Sequence, residues 1–258
     1  MNTLIPVVTD TLLPYLWPLI RISAMLMAMP SLGGGLVPKR VRILLALALS
    51  AVIAPVVPLP PTERFLEPAI VITVFHEILI GVAMGFCVQL IFDAVVLGAQ
   101  NIAMSMGLGF AVLVDQQRGV NVPVLSQFFL MLTTLVFLAL DGHLVMIQVL
   151  ADSFHSLPVG SGGLTRDGLG GLLEWTAYLF VGALTVALPG ITALLVVNLA
   201  FGVMSRAAPT LNLFAVGFPV SMLLGFFVLL LSMDSLTSGF ARLLAQSLEM
   251  TRALVGAN

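Results

Sequence analysis

The chain has 258 residues, of which 60% are hydrophobic and 9% charged, and its formal charge is −2. Soluble domains carry about 25% charged residues, so the composition excludes a soluble globular protein and leaves no basic footprint for nucleic acid. Its single cysteine, Cys87, excludes an internal disulfide and a cysteine metal cluster. Set in an apolar run, Cys87 reads as a small buried hydrophobe.

The N-terminal MNTLIPVVTD has no basic run and carries Asp10, so no cleavable secretory signal is expected there. Leu12 to Met29 is the first apolar segment, with Pro14, Pro18 and Arg21 inside it. The prolines are expected near a helix start, where the first turn has spare donors. Arg21 has two readings: a charge facing protein or water inside the membrane, or one that snorkels to the interface.

A turn at Pro30 to Gly35 leads to Pro38-Lys39-Arg40-Val41-Arg42, whose three basic residues place this loop on the cytoplasmic side. Val41 to Val57 is the second apolar segment, stopped by Pro55, Pro58, Pro60 and Pro61. Ala69 to Leu97 is long and contains His76, Glu77 and Asp93. His76-Glu77 resembles half of a zinc-protease motif, but Ile80 occupies the place of the second histidine, and the metal reading is rejected. Gly81 and Gly85 are spaced for close helix contact, which puts Glu77 and Asp93 inside the assembly.

Gln100 to Pro123 is unlike its surroundings. Met104, Met106, Leu108, Phe110, Val112 and Val114 make it apolar, yet Gly107 and Gly109 interrupt it. Gly is disfavoured in helix interiors by roughly 1 kcal/mol relative to Ala. The stretch ends in Asp115-Gln116-Gln117-Arg118-Gly119. It is either an internal loop projecting into a pathway or a helix end followed by a surface turn. Irregular backbone at membrane depth requires protein or a wet cavity around it.

Val124 to Leu140 is a clean apolar segment, followed by Asp141-Gly142-His143 and a second piece, Leu144 to Leu150. A turn at Gly142 could join Asp141 and His143, but no nucleophile signature accompanies them, and a polar kink in a helical hairpin is the simpler reading. Asp152 to Asp167 reads as a loop. Leu172 to Ala200 is apolar, with a kink or break expected at Pro189-Gly190. Arg206 marks a short loop ending at Pro209, and Leu211 to Met233 is interrupted by Gly217-Phe218-Pro219. Asp234 to Asn258 is an amphipathic tail.

The expected architecture is therefore an all-α integral membrane protein of about six apolar segments, several near the roughly 20 residues of a span. The simplest topology puts both termini outside, against which stand the tail's Arg242 and Arg252. No internal repeat is visible.

Several patterns coincide: Pro38-Lys39-Arg40-Val41-Arg42; Met106-Gly107-Leu108-Gly109-Phe110 with Asp115 and Val122-Pro123; Gly142-His143-Leu144 with Phe154-His155-Ser156-Leu157-Pro158; and Asn198-Leu199-Ala200-Phe201-Gly202 with Arg206-Ala207-Ala208-Pro209 and Gly217-Phe218-Pro219. In order and spacing they resemble the FliR family of flagellar export-gate proteins across nearly the whole chain. The resemblance implies a non-enzymatic subunit, without cofactor, of the flagellar type III export gate in the bacterial inner membrane, within the basal body. Its implied partners are FliP-like and FliQ-like subunits, an FlhB-like protein, the lipid membrane and unfolded export substrates in transit. It also implies one membrane domain of tilted, kinked hairpins: 1–99, a plug-like loop over 100–123, 124–235, and a tail over 236–258. The loop matching Gly107 to Asn121 is implied to lie in the channel as a plug. The implied gate residues are Met106, Gly107, Leu108, Gly109, Phe110, Val112, Val114 and Asp115. Arg21, Glu77, Asp93, Asp141, His143 and Arg206 become buried or interface polar groups. Gly81, Gly85, Gly142, Pro189, Pro209, Gly217 and Pro219 set kinks and packing. Gln116 departs from the proline common after the matching aspartate. A self-sufficient carrier for a small solute or ion, using Arg21, Glu77, Asp93 and Asp141, is the alternative.

Overall fold

The computed structural model describes residues 4–33, 37–58, 69–109, 124–207 and 213–256. All the regular elements among them are helical: α1 (Leu4–Ala28), α2 (Pro30–Gly33), α3 (Lys39–Ile53) with a 3-10 turn at Ala54–Val56, α4 (Ala69–Ser105), α5 (Val124–Ala139), α6 (Gly142–Ser156), α7 (Arg166–Ala207), α8 (Leu213–Leu231) and α9 (Met233–Val255). Two helices are long and apolar enough to cross a membrane, Ile70–Ser105 and Arg166–Ala207, or up to four if α5 with α6 and α8 with α9 each form one bent span. The chain is an all-α membrane protein.

Several boundaries differ from the sequence expectation. Helix α1 begins at Leu4, so Pro14 and Pro18 lie in its interior. Helix α4 continues to Ser105, taking in the first residues of the central stretch. The region from Asp152 is helical as far as Ser156. Helix α7 does not break at Pro189, which lies inside it. A proline there leaves the Thr185 carbonyl without its helical N–H. Membrane helices tolerate this when neighbouring groups satisfy the carbonyl. A cavity of about 20 Å³ lined by Thr185, Pro189, Ser232 and Ser235 adjoins that turn and is large enough for one water.

Two compact units divide the chain. One comprises Met1–Leu90, Asp141–Thr176 and Leu244–Asn258; the other comprises Ile91–Leu140 and Ala177–Leu243. In the first, small residues bring helices together. A Cβ on Gly81 would strike the Arg21 carbonyl and Ala24, and one on Gly85 would strike the Met25 carbonyl and Ala28. Close backbone approach of this kind drives helix association where water supplies no hydrophobic force. Helix α3 packs on α1 through Ala46, Ser50 and Ile53, and Ser50 Oγ donates to the Tyr15 carbonyl at 2.8 Å. The Cys87 carbonyl accepts from Trp175 Nε1 at 3.1 Å and from Ser247 Oγ at 3.0 Å, tying α4 to α7 and to the end of α9.

In the second unit, Phe92 meets Phe137 and Phe240 edge-on at 5.6 and 5.7 Å between centroids, the favoured aromatic geometry. Gly98 admits Ala183 and Val186, and Gly182 admits Ala94 and Leu243. Helix α7 therefore meets α4 and α9 through glycine contacts here.

Candidate functional site

The fully buried Arg21 guanidinium lies in the first unit. Its Nε and one terminal nitrogen donate to the two Glu77 carboxylate oxygens at 2.7 and 3.0 Å. The same group donates to the carbonyl and hydroxyl of Ser153 at 2.9 and 3.1 Å, and to the Leu157 carbonyl at 2.9 Å. It also sits 4.1 Å from the centre of the Phe154 ring. Arg21 has no exposed surface. Arg21 joins α1 to α4 and closes the C-terminal end of α6, where helix carbonyls lack internal donors. A buried pair of this kind is stable only when the remaining donors are satisfied, and five hydrogen bonds do that here.

The second assembly lies in the other unit, at the root of the central stretch. Helix α4 ends in a Schellman turn: Leu108 N–H donates to the Ala103 carbonyl and Gly107 N–H to the Met104 carbonyl, both at 3.0 Å. Gly107 has φ +84°, a left-handed conformation that glycine adopts without strain. A Cβ there would also lie 3.0 Å from the Phe218 ring. Met106 is fully buried, and a Cβ on Gly225 would lie 2.5 Å from it. Asn198 Nδ2 donates to the Ser105 carbonyl, and Ser221 Oγ donates to Asn198 Oδ1, each at 3.4 Å. Phe218, Ser221 and Gly225 share one face of α8 at helical spacing, so that face and Asn198 of α7 together hold the end of α4.

A cavity of about 490 Å³ opens at this root, lined by Leu108, Val124, Phe128, Phe226, Leu230 and Met233 among others. Leu108 and Val124 lie on either side of residues 110–123, so the chain enters and leaves that segment beside one apolar cavity. Phe110, Val112, Val114 and Asp115, and the polar run after them, lie outside the described residues, as does Pro209.

The remaining polar candidates are dispersed. Asp93 is partly buried on α4. Asp141 is exposed at φ +55°, and its carbonyl accepts from Leu144 and Val145 as α6 begins. Gly142 is buried at that break, while His143 Nδ1 is buried without a hydrogen-bond partner among the described residues. The turn does not join Asp141 to His143 by a hydrogen bond. Arg206 is exposed in the last turn of α7, where a cation suits the helix dipole. Gly217 is buried and Pro219 exposed, both inside α8. The described residues contain no group of three potential metal ligands. Ser153, Phe154 and Leu157 were not foreseeable as partners of Arg21, because a carbonyl contact leaves no mark in sequence. Asn198, which holds Ser105 and Ser221, does leave a mark, as the one amide in an uncharged apolar run.

The family model described as bacterial export proteins, family 1, matches residues 12–247. The chain is 40% identical over 211 residues to the flagellar biosynthetic protein FliR of Escherichia coli (strain K12), covering 82% of this chain and 80% of that one. It is 38% identical over 215 residues to the protein of that name from Pectobacterium carotovorum subsp. carotovorum, covering 83% and 82%. The Bacillus subtilis (strain 168) protein of the same name aligns over 99% of each chain at 27% identity.

Proposed function

The chain belongs to the bacterial export proteins, family 1, and on that premise we propose that it is a structural and gating subunit of the flagellar type III export gate in the inner membrane. It helps form and seal the channel through which unfolded flagellar subunits pass. One observation supports the sealing role above the others: the central segment is rooted at both ends on one apolar cavity, behind a glycine turn packed on Phe218.

In this reading Met106 is the fixed root, since it is fully buried. Gly107, Leu108, Gly109, Phe110, Val112 and Val114 form the compliant part. Glycines let the backbone take left-handed and closely approached conformations, and apolar side chains at a constriction exclude water. The half-exposed Met104 re-forms contacts as cargo passes, because its thioether chain is flexible. Asp115 and the following glutamines end the seal in water. The exposed apolar faces of α7 and α8, including Leu195, Leu199, Leu223 and Phe227, are covered by FliP-like and FliQ-like subunits and by lipid. An FlhB-like protein joins at the cytoplasmic entrance.

The carrier reading requires free midplane charges. Arg21 and Glu77, two of the four charges it would use, instead saturate each other. The test is mild-detergent isolation of the tagged chain from its own cells, followed by native mass spectrometry. One copy of this chain with several copies of two other small membrane proteins is the expected result. A monomer or homodimer without partners would overturn the proposal.

A further inference from the structure

Between Thr11 and Thr62 the sequence contains Arg21, Lys39, Arg40 and Arg42 and no Asp or Glu. Arg21 is neutralised by Glu77. Arg42 donates to the Gly33 carbonyl at 3.0 Å. Lys39 and Arg40 are exposed and have no ion-pair partner among the described residues. They occupy the first turn of α3, which has no acidic residue and no side-chain cap. The positive end of the helix dipole adds to their charge there.

The next turns of α3 are apolar and outward. Ile43, Leu44 and Leu47 are 60%, 66% and 48% exposed, while Ala46, Ser50 and Ile53 are buried. Spacings of four and seven residues put Lys39 above Ile43, and Arg40 above Leu44 and Leu47, on one face of the helix. The face is thus cationic at its end and apolar along its length. An acidic protein segment would match the cations and leave the apolar row uncovered. A phospholipid with an anionic headgroup matches both with one molecule. We propose that the first two turns of α3 bind an anionic phospholipid, with its phosphate held by Lys39 and Arg40 and an acyl chain laid along Ile43, Leu44 and Leu47. Arginine and phosphate make paired charge-assisted hydrogen bonds, and the Arg42–Gly33 hydrogen bond ties the start of α3 to the end of α2.

The test uses the purified, delipidated full chain and native mass spectrometry with titrated dioleoyl-phosphatidylglycerol or dioleoyl-phosphatidylcholine. The unaltered chain should retain phosphatidylglycerol preferentially, and glycerol 3-phosphate at equal concentration should not compete. The K39Q/R40Q variant should bind phosphatidylglycerol about twenty-five-fold more weakly, roughly fivefold for each cation removed near an anionic surface, with phosphatidylcholine unaffected. K39R/R40K should keep the preference, and so should R252Q, which removes an exposed cation on α9. Raising the ionic strength should erase the preference in the unaltered chain without any variant. Unchanged phosphatidylglycerol binding in K39Q/R40Q would overturn the proposal. So would an equal loss in R252Q, competition by glycerol 3-phosphate, or a K39Q/R40Q variant that keeps its lipid and loses a co-purifying acidic protein.

Discussion

Arg21 and Glu77 show how two charges can be held in an apolar protein. Each alone is a buried ion; together, with Ser153 and Leu157, they leave no donor stranded. Breaking one side of such a pair costs about 3–5 kcal/mol, whereas replacing both with apolar groups of similar size is close to neutral. Glu77→Leu should therefore lower the thermal midpoint of the detergent-solubilised chain sharply, and R21M/E77L should recover most of the loss. A double variant no better than the single one would contradict this account. Two glycines make the complementary point about backbone. Gly107→Ala forces a left-handed alanine against Phe218 and should cost at least about 1–2 kcal/mol. Gly170→Ala, in α7 with nothing within 4 Å of its Cβ, should instead stabilise by about 0.5–1 kcal/mol. Thermal unfolding of the two variants checks both signs.

At the scale of elements, α1 and α4 are held at a distance set by Gly81 and Gly85. Alanine at Gly81 would place a methyl against the Arg21 carbonyl, so the helices must separate and the Arg21–Glu77 geometry must stretch with them. Gly81→Ala should destabilise by about 1–3 kcal/mol, the usual cost of overpacking. Combined with R21M/E77L it should cost less than in the unaltered background, a coupling that a double-mutant cycle measures; strict additivity would show that the glycine contact and the ion pair are independent. The helices themselves were legible in the sequence, because runs of apolar residues between proline and glycine clusters fix where the chain must hydrogen-bond to itself. Their ends were less so. Helix α4 runs to Ser105 because no glycine or proline lies between Gly98 and Gly107, and Gly107 acts as its cap. Pro189 suggested a break that α7 does not make, since a lost hydrogen bond inside packed helices is repaired locally. Glu77 was legible as an interior charge from its apolar setting. Its pairing with Arg21, 56 residues earlier, follows only from the glycine packing of α1 on α4.

On the scale of the whole molecule, each compact unit is assembled from segments far apart in sequence, and exposed apolar residues cover much of α3, α7 and α8. Lone surface hydrophobes are ordinary, but continuous apolar faces mark lipid or protein contact. Such faces suit a chain that works against lipid or other proteins, as the proposed gate requires. The most direct test of that gate is the permeability of the inner membrane when residues Gly107 to Val114 are deleted and the gate is shown by native mass spectrometry to assemble. The account predicts a leak of ions and small solutes that the unaltered gate does not show. An assembled gate lacking these residues, with permeability equal to that of the unaltered one, would contradict it.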